Sequence, residues 1–231
     1  MKIKLYRPVL TNYLTQPFGA NNACISLDGS RRVIAKVNGT CPVGYMGLYE
    51  SMGMKGHSGE DWILYRGEPI HFCAEFVGWM KTEIDPDGGI GVDVISNEPI
   101  FNGNHLKLRF WHLEKVNGHD KKQVRLGDVI GYGDSTGLSS GDHLHWSVKP
   151  CDKNGNSVDS NNGFYGARPF EDIFEMHTDV FALDVVVDRA VKPSPADTPQ
   201  EIQKKSLIES LRRFINQLHL AVRLWQLRQR K

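Results

Sequence analysis

Three short patterns in this 231-residue chain place histidines and a carboxylate where metal-assisted hydrolysis can be done. In Gly141-Asp142-His143-Leu144-His145-Trp146 two histidines lie two positions apart. On a strand, alternate side chains share a face, so both imidazoles point one way and Leu144 the other. Such a pair can supply one metal ligand and one proton-transfer group, although H-x-H alone also fits two exposed strand histidines. In Gly56-His57-Ser58-Gly59-Glu60-Asp61 a histidine and a carboxylate lie four apart. On a straight strand their Cα atoms would be about 13 Å apart, which is awkward for two ligands of one ion. Gly56 and Gly59 allow the chain to bend so that the two side chains converge. Imidazole nitrogen and carboxylate oxygen both suit zinc, and three protein ligands with an open position is the catalytic arrangement. His57, Asp61 and one histidine of the H-x-H pair make such a set. That leaves the other member of the pair and His112, in Phe110-Trp111-His112-Leu113-Glu114. Peptide hydrolysis needs a base for the water, a donor for the tetrahedral intermediate and an acid for the leaving amine, and histidine serves these roles near neutral pH.

The elements that must carry these residues read as β. Runs rich in β-branched and aromatic residues recur at 61–65, 74–80, 91–96, 106–113, 128–133 and 143–149. Turn clusters such as Asp85-Pro86-Asp87-Gly88-Gly89, Asn102-Gly103-Asn104 and Ser139-Ser140-Gly141-Asp142 separate them. The spacing leaves no room for crossover helices between most runs, so a mainly β, antiparallel sheet is expected. His112 ends its predicted strand. Residues 21–52 read as a long surface loop with a hairpin near Arg32–Lys36, either a wall of a substrate groove or an insertion of no function.

With motif order added, the chain resembles the lysostaphin/LytM-type zinc endopeptidases, peptidase family M23, which cut peptidoglycan peptides. The resemblance rests on TQPFG (15–19), GMKGHSGEDW (53–62), RGEPIHFCAEFVGWM (66–80), FWHLE (110–114) and LGDVIGYGDSTGLSSGDHLHWSV (126–148), and covers roughly residues 14–150. It implies zinc ligands His57, Asp61 and His145. It implies a catalytic pair, His112 and His143, either of which acts as base or stabilises the oxyanion. The implied fold is an antiparallel β domain of the duplicated hybrid-motif, LytM-like kind with a groove across its sheet; the implied substrate is peptidoglycan peptide. A tyrosine often lines that groove, with Tyr45 and Tyr49 as candidates. The rival reading is a non-catalytic wall-binding, regulatory or virion structural member of the same fold.

Composition bounds the rest. Hydrophobic residues make up 40% and charged residues 24%, ordinary for a globular protein. A net charge of +1 gives no field that would point to nucleic acid. No apolar run of 18 residues occurs and the first residues lack the apolar core of a signal peptide, so action at the bacterial wall is expected after lysis or as part of a virion, as for a phage or prophage endolysin. Cys24, Cys41, Cys73 and Cys151 form no C-x-x-C pair. Four reduced thiols are expected, with Cys24–Cys41 as the alternative pairing. Asp142 is expected to cap a turn, or else to orient a histidine; His71, His105 and His119 are expected to be structural or exposed.

Three regions are expected: a catalytic domain at 1–187, a Pro-rich linker at 188–200 and a basic amphipathic helix at 201–231. In the last, Leu207, Leu211, Phe214, Leu218, Ala221 and Trp225 step with heptad spacing. That helix is expected to serve self-association, partner docking or binding to an anionic surface, or else to pack back on the catalytic domain.

Overall fold

The computed structural model describes residues 2–191. The chain divides into the units Met1–Ala182 and Leu183–Lys231. In chain order the first unit holds β1 (Ile3–Arg7), β2 (Leu14–Gln16), β3 (Ala23–Ser26), β4 (Val33–Ala35), β5 (Tyr45–Gly47), the short helix α1 (Leu48–Ser51), β6 (Glu60–Ile63) and β7 (Pro69–His71). The long strands follow: β8 (Gly78–Asp85), β9 (Gly89–Ser96), β10 (His105–Val116), then β11 (Gln123–Val124), β12 (Val129–Gly133), β13 (His143–Cys151) and β14 (Phe174–Phe181). Helix α2 (Ala182–Val191) begins the second unit. It runs into the segment expected as linker; the rest of that segment and the heptad-patterned 201–231 lie outside the described residues.

The principal sheet is antiparallel throughout, in the order β11-β8-β9-β10-β13-β6-β2, with β12 joining β10 to β7. The mainly antiparallel β fold expected from the runs and turns is therefore observed. One pair departs from it: β1 lies parallel to β14 in a separate two-stranded sheet.

Alternation explains the core. On one face of the principal sheet, Leu106, Leu108 and Phe110 of β10 stand beside Pro150, Val148 and Trp146 of β13, and Val92 and Val94 of β9 complete the row. All of them are buried, and each large apolar side chain contributes about 1.5–3 kcal/mol by removal from water. Trp146 stacks on Phe170, 4.3 Å between ring centroids. The other face is polar and still mostly buried. It carries His143, His145, Ser147 and Lys149 of β13 and Lys107, Arg109 and Trp111 of β10.

Residues 21–52 form a small antiparallel sheet in the order β4-β3-β5, with the hairpin expected near residues 32–36 at β3–β4. A Cys24–Cys41 disulfide closes this segment, which corrects the expectation of four reduced thiols; Cys73 and Cys151 are free and buried. Ala23, Leu48 and Tyr49 of the segment pack with Met54 into a small buried cluster, and the covalent cross-link adds stability by limiting the unfolded chain.

Candidate active site

Adjacent strands bring the site together in one row. In the antiparallel register Asp61 of β6 stands opposite His145 of β13, and His145 opposite Trp111 of β10. His57 enters from the turn before β6. Its backbone N–H donates to the Ala20 carbonyl and its carbonyl accepts from Gly19, both at 2.8 Å. Gly56 and Gly59 lie at bends on either side of His57, as expected, without left-handed backbone. They are needed for room. A Cβ at 56 would lie 2.5 Å from the Gly19 carbonyl oxygen, and one at 59 would lie 2.4 Å from that of Trp146.

His112 does not end its strand. It sits within β10 at a bulge, in the left-handed region at φ 64°. The β9 register passes from Phe110↔Val92 to Leu113↔Ile90, so Trp111 and His112 together oppose Gly91. Two residues against one shift the alternation by a residue. Trp111 and His112 both face the polar side, and Leu113 returns to the core as a fully buried residue. Gly91 is required opposite, since a Cβ there would lie 2.0 Å from the Trp111 ring.

The resulting geometry is tight. His57 Nε2 lies 2.8 Å from His145 Nδ1, and both lie 3.1 Å from Asp61 Oδ1. These three residues offer donor atoms within 4.8 Å of one another and can hold a metal ion. His143 Nε2 lies 3.7 Å from Asp61 Oδ2. The His112 and His143 rings are 4.5 Å apart. Carbonyl groups set their tautomers: Nδ1–H of His112 donates to Thr136 at 2.7 Å, and Nδ1–H of His143 donates to Gly141 at 2.8 Å. A carbonyl only accepts, so Nε2 carries the free lone pair of each ring in its neutral form.

Burial dominates the electrostatics. It pushes His112 down to about 4, helped by the neighbouring His143 and opposed by the Thr136 carbonyl. It pushes His145 down to about 3, with Asp61 opposing. Asp61 resists its own burial, because His57 and His145 beside it hold the carboxyl well below its usual range. Burial thus favours neutral imidazoles at His112 and His145 beside an ionised Asp61, and metal binding requires deprotonated ligands.

All five residues singled out in the sequence line a single cavity of about 440 Å³. Residues 21–52 form part of its wall through Ala23, Val33, Leu48 and Tyr49. Of the two candidate tyrosines Tyr49, and not Tyr45, lines the cavity, as does Tyr165; the Tyr49 hydroxyl is hydrogen-bonded to Gln16 and its ring lies 5.8 Å from His57. Asp142 pairs with Arg66 at 2.9 Å. His71 and His105 each donate Nδ1–H to a backbone carbonyl at 2.8 Å, outside the cavity. Sequence reasoning missed Arg109, Ser147 and Lys149, which also line the cavity. The signal was available: the alternation that pairs His143 with His145 continues to Ser147 and Lys149.

The chain is 32% identical over 93 residues to the DD-carboxypeptidase/endopeptidase Mpg of Neisseria meningitidis serogroup B, covering 40% of this chain and 20% of that protein. It is 29% identical over 101 residues to the glycyl-glycine endopeptidase ALE-1 of Staphylococcus capitis, covering 41% and 25%. The chain thus spans a quarter or less of the length of these curated relatives. The catalytic domain of the antimicrobial peptidase lysostaphin from Staphylococcus simulans superposes with a TM-score of 0.41 at 23% identity, over 51% of this chain and 78% of that one. Residues 55–160, which hold all five site residues, match the model of peptidase family M23.

Proposed function

We propose that this domain is a zinc-dependent endopeptidase that hydrolyses peptide bonds of peptidoglycan. One observation carries the reading: a His57–Asp61–His145 donor set and two further histidines with free Nε2 atoms share one cavity. The donor set fits zinc. Its chemistry is two imidazoles and a carboxylate, and its 2.8–3.1 Å separations are slightly shorter than the edge of about 3.4 Å that zinc–ligand bonds imply for a tetrahedron. Nδ1 of His57 faces the Pro17 carbonyl at 3.4 Å, which orients the ring so that Nε2 faces the other donors.

Zinc held there supplies Lewis-acid activation of a water and of the scissile carbonyl. The protein's own groups do the remainder. His112 is kept neutral by burial and accepts a proton at Nε2. His143, fixed through Nδ1, presents Nε2 beside Asp61 to accept a proton, or to donate one once protonated. Together they can take the proton of the water, stabilise the oxyanion and protonate the leaving amine. A member that only bound wall polymer would have no use for two free Nε2 atoms aimed into the donor set.

The test is release of free amines from purified peptidoglycan with zinc and with chelator. Chelator-sensitive release is expected. His145→Ala should lose metal and activity together. His143→Ala should keep metal and lose on the order of a hundredfold or more in turnover. An active, metal-loaded His145→Ala protein overturns the ligand assignment, and no release from walls of several chemotypes overturns the substrate.

A further inference from the structure

Away from the histidines the cavity changes character. Lys149 lines it and is only 5% exposed, yet its ammonium makes no hydrogen bond among the described residues. The carboxylates around it are already engaged. Asp93, fully buried, takes Arg109 at 2.7 and 2.8 Å and Lys107 at 3.4 Å. Asp85 accepts the backbone N–H groups of Asp87 and Gly88. Asp87 pairs with Arg31, and Glu83 with Lys81. Three cations therefore share one buried carboxylate, and Lys149 is the cation without a close partner.

Two neighbouring groups share the condition. Ser147 Oγ and Trp111 Nε1 are buried without a hydrogen-bond partner; both residues line the cavity, Ser147 between His145 and Lys149 on β13 and Trp111 opposite His145 on β10. Buried polar groups are rarely left unpaired, because each costs about 1–3 kcal/mol. A lysine, a hydroxyl and an indole N–H in succession form a run of donors, so the missing ligand is rich in acceptors. Burial, then Arg109 and Lys107, pull Lys149 down to about 7, so an arriving anion also recovers the stability of its charged form.

We propose that Lys149, with Ser147 beside it, forms a carboxylate-binding subsite roughly 13 Å along β13 from His145, selecting peptides that carry a free carboxylate at that distance from the bond cut. This rests on the peptidase reading, which it deepens by naming what the cavity recognises beyond the reacting centre.

The test uses synthetic cross-linked stem peptides in which each free carboxylate is replaced in turn by carboxamide. Two quantities are read on the full-length chain: kcat/KM with zinc, and calorimetric affinity with the protein held zinc-free by chelator. One replacement should lower both, on the order of tenfold or more. K149M should bring that ratio close to one, while K149R should retain most of it. Cleavage without preference for any carboxylate overturns the subsite and leaves the peptidase reading intact. Absence of cleavage, with tighter zinc-free binding of the carboxylate form that K149M loses, sustains the subsite and overturns the peptidase reading. Equal or absent binding of both forms overturns the subsite. Should K149M fail to fold, the wild-type carboxylate-to-carboxamide comparison decides.

Discussion

Gly59→Ala is the most direct probe of how the proposed metal ligands are spaced. A Cβ at position 59 would lie 2.4 Å from the Trp146 carbonyl oxygen, 2.9 Å from His145 Cε1 and 2.9 Å from Ser147 Cβ. The first contact is backbone and cannot rotate away. Ordinary contact begins near 3.4 Å, so β6 must withdraw from β13 by about 1 Å at its first residues. Those residues pair Glu60 with Trp146 and Asp61 with His145, where donor atoms are set 2.8–3.1 Å apart. Overpacking of this kind costs about 1–3 kcal/mol, which lowers Tm by roughly 3–10 °C for a domain of this size. Because the displaced group is a proposed ligand, zinc affinity should fall further, on the order of 10–100-fold. The assay is a thermal melt of the zinc-free protein beside competition with a chromophoric chelator. Gly141→Ala is the control, since a Cβ there meets nothing within 4 Å. If Gly59→Ala keeps both Tm and zinc affinity while matching that control, close backbone approach is not what spaces the ligands.

Other perturbations test other parts of the structure. Asp93→Asn leaves Arg109, Lys107 and Lys149 without their shared carboxylate and should cost about 3–5 kcal/mol, measured by urea unfolding. Asp93 resists its burial through Arg109 and then Lys107, so its folded pKa lies below the unfolded value. Its contribution is therefore present above about pH 4 and lost as pH falls through the folded pKa; acid titration of stability should be shallower in Asp93→Asn. Cys24→Ser with Cys41→Ser should cost about 3 kcal/mol or less at neutral pH, and Cys73 and Cys151 should stay unreactive to thiol reagents until global unfolding. Saturating zinc at a hundred times its Kd should stabilise the protein by about 2.7 kcal/mol, removed by chelator; an unchanged melting curve would refute a site that forms only in the folded chain.

The site was legible because its chemistry constrains residue type. Imidazoles and a carboxylate in a fixed order admit few readings, and strand alternation aligns His143 with His145 from their spacing alone. The bulge was not legible. Nothing in Phe110-Trp111-His112-Leu113 marks where the ladder slips, and a strand that ends at His112 looks the same in sequence as one that continues through a phase shift. The pairing of β1 with β14, Ile3 beside Phe174, was hidden for a different reason: short-range pattern names strands but not distant partners. In residues 21–52 the β3–β4 hairpin was legible but the third strand, β5, was not, being three residues long in a segment closed by a disulfide.

The left-handed backbone of His112 has a consequence for engineering. A residue with a β-carbon held at φ 64° gives up stability that Gly or Asn would recover. A stability-guided redesign unaware of the cavity would rank position 112 among its first targets and replace the histidine. The chain retains a costly conformation at the position where its proposed chemistry needs an imidazole, a local trade of robustness for reactivity.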